Sequence, residues 1–128
     1  MQFIQHDADD LHLIRSVQHD AVRIGERAWS ASLLLTPAEG AREWPVAALE
    51  DLGRDTLKPV LEYQPDVLLV GTGRRMRLPG LEVQRMLAEH NIGVEFMALD
   101  AAARTFNVLA VEGRRVMLAL IWEPGTQG

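Results

Sequence analysis

The sequence predicts an α/β fold in which helices pack on a layered sheet, with a β-hairpin on its N-terminal side. Residues 67–122 alternate strand, helix, strand, helix and strand, which is the usual order of strands joined by covering helices. The chain has 128 residues, 48% of them apolar and 24% charged, a composition typical of a globular protein with one core. We therefore expect residues 1–128 to form a single domain.

Residues 21–35 predict the hairpin. Two short strands flank a turn at Gly25 and Glu26, and the second strand runs on into the apolar residues that begin at Leu33. Residues 36–45 combine turn-forming and charged residues and are predicted to be a loop. Residues 54–64 have helical spacing, which Pro59 weakens because a proline beyond the first turn removes a helical hydrogen bond.

The second half of the chain gives clearer signals. Residues 67–70 read Val-Leu-Leu-Val, a short apolar run that is typical of a strand covered on both faces. Pro79 suits the first position of the next helix, in which Val83 and Leu87 lie on one face. Asn91 tolerates the left-handed conformation that commonly ends a helix.

Two strands and a helix complete the predicted order. Residues 93–99 indicate a strand, and Asp100 is predicted to cap the helix that follows. Phe106 belongs to the apolar stripe of this helix, and Gly113 is placed to end it. Residues 115–122 predict the last strand.

Composition excludes several classes of function. The net charge is −5 and the pI about 5.3, which argues against a general attraction to nucleic acid or anionic lipid. No apolar run approaches the roughly 20 residues of a spanning helix, so membrane insertion is not expected. The absence of cysteine removes disulfides, thiolate nucleophiles and cysteine metal sites. Acids near the start of the chain argue against a targeting segment, and we expect a cytoplasmic, bacterial protein.

The stretch GTGRRMR, residues 71–77, is the main candidate for a ligand site. It lacks the third small residue of a dinucleotide fingerprint and the lysine of a Walker loop. What remains is a glycine-rich turn after a buried strand, with forked guanidinium donors beside it. A small-anion site would use Gly71, Thr72, Gly73, Arg74, Arg75 and Arg77. The alternative is a tight turn with solvated arginines.

Two polar residues of the last helix extend this candidate site. Thr105 and Asn107 flank the buried Phe106 position and can turn their side chains toward a nearby loop, with residues 71–73 as the candidate. Ligand contact is one interpretation. Satisfaction of loop backbone groups is the other, and it is favoured because buried polar groups usually exist to be hydrogen-bonded.

Catalytic and metal-binding patterns are not evident. His6 and His12 lie among Asp7, Asp9 and Asp10, but the spacing and the glycine of a calcium loop are missing. A solvated acidic segment is the better interpretation. The few serines do not lie in a nucleophile elbow. We therefore expect no catalytic residues, no metal and no cofactor.

Several stretches from Val67 onward match a pattern known from other small domains. They are LLVGTG, NIGVEFM and above all AARTFNVLAVEGRRVMLALI, together with Pro79; SLLL and Trp44 match more loosely. Through them the chain resembles a family of uncharacterised Mth-type domains that includes the mitochondrial complex I (NADH dehydrogenase) assembly factor and an adipogenesis-associated protein. The resemblance implies a three-layer α/β fold with a central mixed sheet. It implies no catalytic residues, because no enzymatic activity is established for the family.

Two classes of function follow. The first is a noncatalytic binding or assembly module with an unidentified protein partner. The second is a small-anion or nucleotide-binding protein, with or without enzymatic activity, that uses the glycine and arginine loop. A concave pocket at that loop favours the second class, and an exposed apolar patch favours the first. Trp44 is either an anchor for a partner or a plug over the core.

Overall fold

The computed structural model describes residues 10–123, which form two β-sheets and three α-helices. Three residues of the segment predicted above to be acidic and solvated lie outside the described residues: His6, Asp7 and Asp9. Within residues 10–123 no helix has both the length and the apolar character needed to cross a membrane.

The larger sheet has five strands in the order β5-β4-β8-β6-β7. Strand β6 runs parallel to both of its neighbours, β7 and β8, whereas β4 is antiparallel to β8 and to β5. The bounds of its strands are β4 Leu33–Thr36, β5 Gly40–Glu43, β6 Val67–Gly71, β7 Gly93–Met97 and β8 Val116–Leu120. The predicted α/β fold with a mixed sheet is confirmed.

Strand β6 has the central place that its apolar sequence predicts. Leu68 and Leu69 are fully buried, because the two faces of the sheet are covered by different layers. One face packs against the C-terminal helix and the smaller sheet through Leu33, Leu35, Leu69, Leu118 and Phe106. The other face packs against the first two helices through Leu34, Leu68, Val70, Val60 and Leu87. The molecule therefore has three layers.

Helices α2 and α3 begin and end close to their predicted positions, and α1 begins four residues inside the predicted helical segment 54–64. Their bounds are α1 Lys58–Tyr63, α2 Leu81–Glu89 and α3 Leu99–Val111. Pro59 lies in the first turn of α1, where its missing N–H removes no helical bond. The predicted left-handed ends are confirmed, with φ of 59° at Asn91 and 81° at Gly113.

Two predicted helix starts are wrong by one or two residues. Helix α2 begins at Leu81 after Gly80, not at Pro79. Helix α3 begins at Leu99, so Asp100 lies inside its first turn, where the carboxylate accepts the N–H of Ala101 at 2.9 Å. Asp100 thus lies two positions after the observed N-cap, Ala98, and an acid in the first turn still complements the positive end of the helix dipole.

The smaller sheet contains the predicted hairpin. Strands β2 (Val22–Ile24) and β3 (Arg27–Trp29) are antiparallel, and Gly25 turns between them with φ of 59°. The apolar run from Leu33, predicted to continue the hairpin, instead forms β4 of the larger sheet. The sequence analysis also missed β1 (Ile14–Val17), which pairs with β2 in this three-stranded sheet.

Residues 36–45, predicted to be a loop, contain the edge strand β5. Gly40, with φ of 86°, permits the tight turn after which β5 pairs with β4. The strand reads Gly-Ala-Arg-Glu and is largely exposed, so it carries no apolar alternation. Its conformation comes from pairing with a buried neighbour rather than from its own residues.

Candidate functional site

The candidate loop leaves the carboxyl end of β6, beside the start of α3. A Cβ atom at Gly71 would lie 3.3 Å from the Cβ of Ala102 and 3.4 Å from the Cα of Leu99. Glycine at this position therefore allows α3 to pack closely on β6. Gly73 adopts a φ of 76°, and its carbonyl accepts the N–H of Leu99 at 2.6 Å.

Thr72 is buried and acts within the loop. Its hydroxyl lies 2.7 Å from the carbonyl oxygen of Arg75, to which it donates, and it accepts the N–H of Arg77 at 3.1 Å. Its own N–H donates to the carbonyl of Met97 on β7 at 2.9 Å. These bonds occupy the side chain of Thr72 and hold the loop against the edge of the sheet.

Arg77 forms a charged bridge to two distant parts of the chain. Its guanidinium lies 2.6 Å from the carboxylate of Glu50 and 3.1 Å from that of Glu123. Glu123 also accepts the N–H of Leu49 at 3.1 Å, at the start of the 3-10 turn Leu49–Asp51. Two carboxylates therefore balance the charge of Arg77. Its side chain holds the loop in place, and its guanidinium is less available to bind an anion.

Gly73 and Arg74 line a shallow hollow of about 310 Å³ between the loop and the start of α3. Its other lining residues are Val17, Gln18, His19, Leu99 and Asp100. Because Asp100 is among these lining residues, its negative charge reduces the attraction of this hollow for an anion. Arg75 is exposed on the same loop.

Thr105 and Asn107 do not bond the glycine loop, and that expectation is wrong. The hydroxyl of Thr105 donates to the carbonyl of Ala101, one turn back in its own helix, at 2.9 Å. The side-chain amide of Asn107 pairs with the backbone of Ile14 on β1. Strand β1 was not predicted, so the hydrogen-bond partner of Asn107, the backbone of Ile14, could not be predicted either.

Three exposed apolar residues that were not predicted lie between this loop and the first residue of α2. Met76, Leu78 and Leu81 are exposed by 56%, 59% and 71%, although each is a residue type that is usually buried. We refer to residues 74–81 as the basic apolar segment. The signal was present in the sequence, because residues 74–81 combine three large apolar residues with three arginines outside any apolar periodicity.

Two aromatic residues take structural positions. Trp44 is buried and donates its indole N–H to the carbonyl of Thr56 at 2.8 Å, which favours the interpretation as a plug over the core. Arg115 stacks over the ring of Tyr63 at 3.9 Å and donates to its carbonyl oxygen at 2.7 Å. Burial raises the pKa of Tyr63 above its usual value, while the charge of Arg115 opposes the shift.

Residues 14–121 match the family described as "Protein of unknown function (DUF498/DUF598)". The chain therefore belongs to this family, and the predicted resemblance is confirmed.

One relative is named as a membrane protein and another as an assembly factor. A protein of Francisella tularensis, named 13 kDa major membrane protein, is 34% identical over 57% of this chain and 59% of its own length. A Drosophila melanogaster protein named NADH dehydrogenase [ubiquinone] 1 alpha subcomplex assembly factor 3 is 37% identical over 61% of this chain. The match covers 42% of the Drosophila protein, so the chain spans about half the length of these relatives.

Solved structures share the fold over nearly the whole chain. A protein of Xanthomonas campestris superposes with a TM-score of 0.82 at 38% identity, covering 95% of this chain and 92% of that one. A Bordetella pertussis protein described as a Mth938-like domain gives a TM-score of 0.78 at 29% identity, covering 96% and 93%.

Proposed function

We propose that this member of the DUF498/DUF598 family is a noncatalytic module that binds a partner protein through the basic apolar segment. The observation that carries the proposal is the exposure of Met76, Leu78 and Leu81 within a few residues of one another. Clustered exposed apolar side chains are typical of interaction sites on proteins that are otherwise well packed. Arginine and methionine, which this segment combines, are enriched at protein interfaces.

The segment is held in a defined conformation before any partner arrives. The hydroxyl of Thr72 hydrogen-bonds the backbone of Arg75 and Arg77, and the guanidinium of Arg77 forms ion pairs with Glu50 and Glu123. Met76 therefore lies between two residues whose backbone is held by hydrogen bonds. A loop that is ordered in advance loses less conformational entropy on binding, which favours affinity for a given contact area.

The charge of this region suggests an acidic partner. Apart from Arg77, whose charge Glu50 and Glu123 balance, residues 74–85 contain three arginines and one glutamate, in a chain whose net charge is −5. An acidic protein is repelled by the molecule as a whole and attracted locally by this region. Such an arrangement favours encounter at one place and in one orientation.

The relatives support a role in assembly. Several members of the family are named NADH dehydrogenase [ubiquinone] 1 alpha subcomplex assembly factor 3, including those of Drosophila and human. We propose that this chain acts likewise by holding a protein partner, as a cytoplasmic bacterial protein.

The small-anion alternative has less support. Three of its candidate residues already use their side chains to hydrogen-bond backbone groups: Thr72, Thr105 and Asn107. Arg77 is bridged by two carboxylates. Gly71 serves helix packing, and the hollow lined by Gly73 and Arg74 is also lined by Asp100, whereas Arg75 is not among its lining residues. We therefore assign the two arginines to the protein-binding surface.

A site-specific photo-crosslinker tests the proposal. A benzophenone side chain is placed at Leu78 and, as a matched control, at Arg23, an exposed position on strand β2. In native cells we expect one discrete protein adduct from position 78 and none from position 23. Aspartate at both Met76 and Leu81 should abolish the adduct without changing the thermal unfolding midpoint. The proposal fails if position 78 gives no adduct or the same adducts as position 23.

A further inference from the structure

Helix α3 exposes a second apolar stripe, distant in sequence from the basic apolar segment. Val108 and Val111 are exposed by 56% and 60%. At about 3.6 residues per turn they share an arc of roughly 120° with four other partly or fully exposed residues. The whole stripe is Ala101, Arg104, Thr105, Val108, Val111 and Glu112. The buried residues Ala102, Phe106 and Ala110 lie on the opposite side of the helix.

The composition of this stripe is unusual for a solvated helix face. Valine forms helices less well than the straight-chain residues that usually occupy exposed positions, and its apolar side chain gains nothing from water. Two valines about one turn apart on one face, with an arginine toward one end and a glutamate at the other, form a small self-complementary surface.

We propose that this stripe binds the same stripe of a second copy of the chain, with the two α3 helices antiparallel about a two-fold axis at Val108. In this register each residue lies level with the residue equally far on the other side of Val108. Arg104 then lies level with Glu112 of the second copy, and Glu112 with Arg104, so the interface contains two pairs of opposite charge. A two-fold interface requires this kind of self-complementarity.

The remaining members of the stripe fit the same register. Val111 and Thr105 occupy the two edges of the stripe, and the hydroxyl of Thr105 already donates to the carbonyl of Ala101 at 2.9 Å, so that its methyl group is available for apolar contact. A parallel pair would instead place Arg104 against Arg104 and Glu112 against Glu112. Like charges in direct opposition are unfavourable, which selects the antiparallel arrangement.

Arg104 is free to reorient toward a second copy. Its guanidinium lies 3.5 Å from the carboxylate of Asp100, at the long limit of a hydrogen bond, and the two side chains are 72% and 63% exposed. An exposed pair of this kind holds neither side chain firmly. The interface is a single pair of helices, so we expect a weak dimer that dissociates on dilution.

Charge reversal tests the pairing through the oligomeric state. By sedimentation velocity over a wide concentration range, the wild-type chain should form a concentration-dependent dimer. Arg104→Glu or Glu112→Arg places two like-charged pairs in the interface and should weaken dimerisation by at least about tenfold. An equimolar mixture of the two variants should recover a heterodimer, because each reversed charge then meets its opposite.

Controls separate the pairing from general effects of charge and folding. Arg23→Glu makes the same change in net charge on exposed strand β2 and should leave the dimer intact. Circular dichroism and thermal unfolding should show that all the variants are folded, since the altered residues are exposed. A wild-type chain that is monomeric throughout overturns the inference, as does a mixture that fails to recover the dimer. This surface differs from the basic apolar segment, so either proposal can fail without the other.

Discussion

The side-chain amide of Asn107 on α3 makes two hydrogen bonds to the backbone of Ile14 on β1. The N–H of Ile14 donates to Oδ1 at 2.9 Å, and Nδ2 donates to the carbonyl of Ile14 at 2.8 Å. A single side chain thus reproduces the pattern of a neighbouring strand residue. It joins the three-stranded sheet to the helix that packs on the larger sheet.

Replacing Asn107 by alanine is expected to destabilise the protein by about 1–3 kcal/mol, because it leaves backbone groups of Ile14 without their partner in a partly buried place. Urea unfolding followed by circular dichroism measures the change. Thr105→Ala is the control, since its hydroxyl bonds only within its own helix, and it should have a smaller effect. Equal losses for the two variants would contradict the bridging role of Asn107.

Replacing Gly71 by alanine is expected to destabilise the protein by about 1–3 kcal/mol through overpacking. The added Cβ would meet the Cβ of Ala102 at 3.3 Å and the Cα of Leu99 at 3.4 Å, both held on the packed face of α3. The free energy of unfolding is measured as before. Gly53→Ala is the matched control, because a Cβ there meets nothing within 4 Å. An unchanged stability for Gly71→Ala would show that α3 shifts at little cost.

The elements that form the core could be predicted from sequence because burial leaves a local pattern. The apolar run at residues 67–70 marks a strand covered on both sides, and the stripe through Phe106 marks a helix face. Asn91 and Gly113 mark helix ends because few other residues tolerate positive φ.

The edge of the fold and the contacts of the site could not be predicted in the same way. Strand β5 is exposed, so its residues need no apolar alternation. Asn107 meets Ile14 across 93 residues, and Arg77 meets Glu50 and Glu123 across 27 and 46. Such pairings depend on how distant elements come together. The candidate loop was therefore correctly located as a feature at the end of β6, while the partners of its side chains were not.

Replacing Arg77 by alanine is expected to loosen the basic apolar segment with little loss of global stability. The side chains of Arg77 and Glu50 are 42% and 69% exposed to solvent and that of Glu123 is 19% exposed, so the loss should be about 1 kcal/mol. Hydrogen exchange should nevertheless accelerate at the amide of residue 77, which donates to Thr72. Arg75→Ala, a change on the same loop, should leave this amide protected. Unchanged protection in the Arg77 variant would show that Thr72 alone orders the segment.

Tyr63 provides a pH-dependent signal, since it is the single tyrosine of the chain and phenolate absorbance reports it alone. Burial raises its pKa above the usual 10.0, Arg115 opposes the shift, and Glu39 adds to it. The folded pKa exceeds the unfolded one, so the stabilisation is fully present below about pH 10 and is lost as the pH rises through the folded pKa. We expect native protein to titrate at higher pH than urea-unfolded protein, and Glu39→Gln to lower the native pKa. Arg15→Gln, a change on strand β1, is the control and should leave it unchanged. A native titration at or below the unfolded one would show that the charge of Arg115, stacked on the ring at 3.9 Å, outweighs burial.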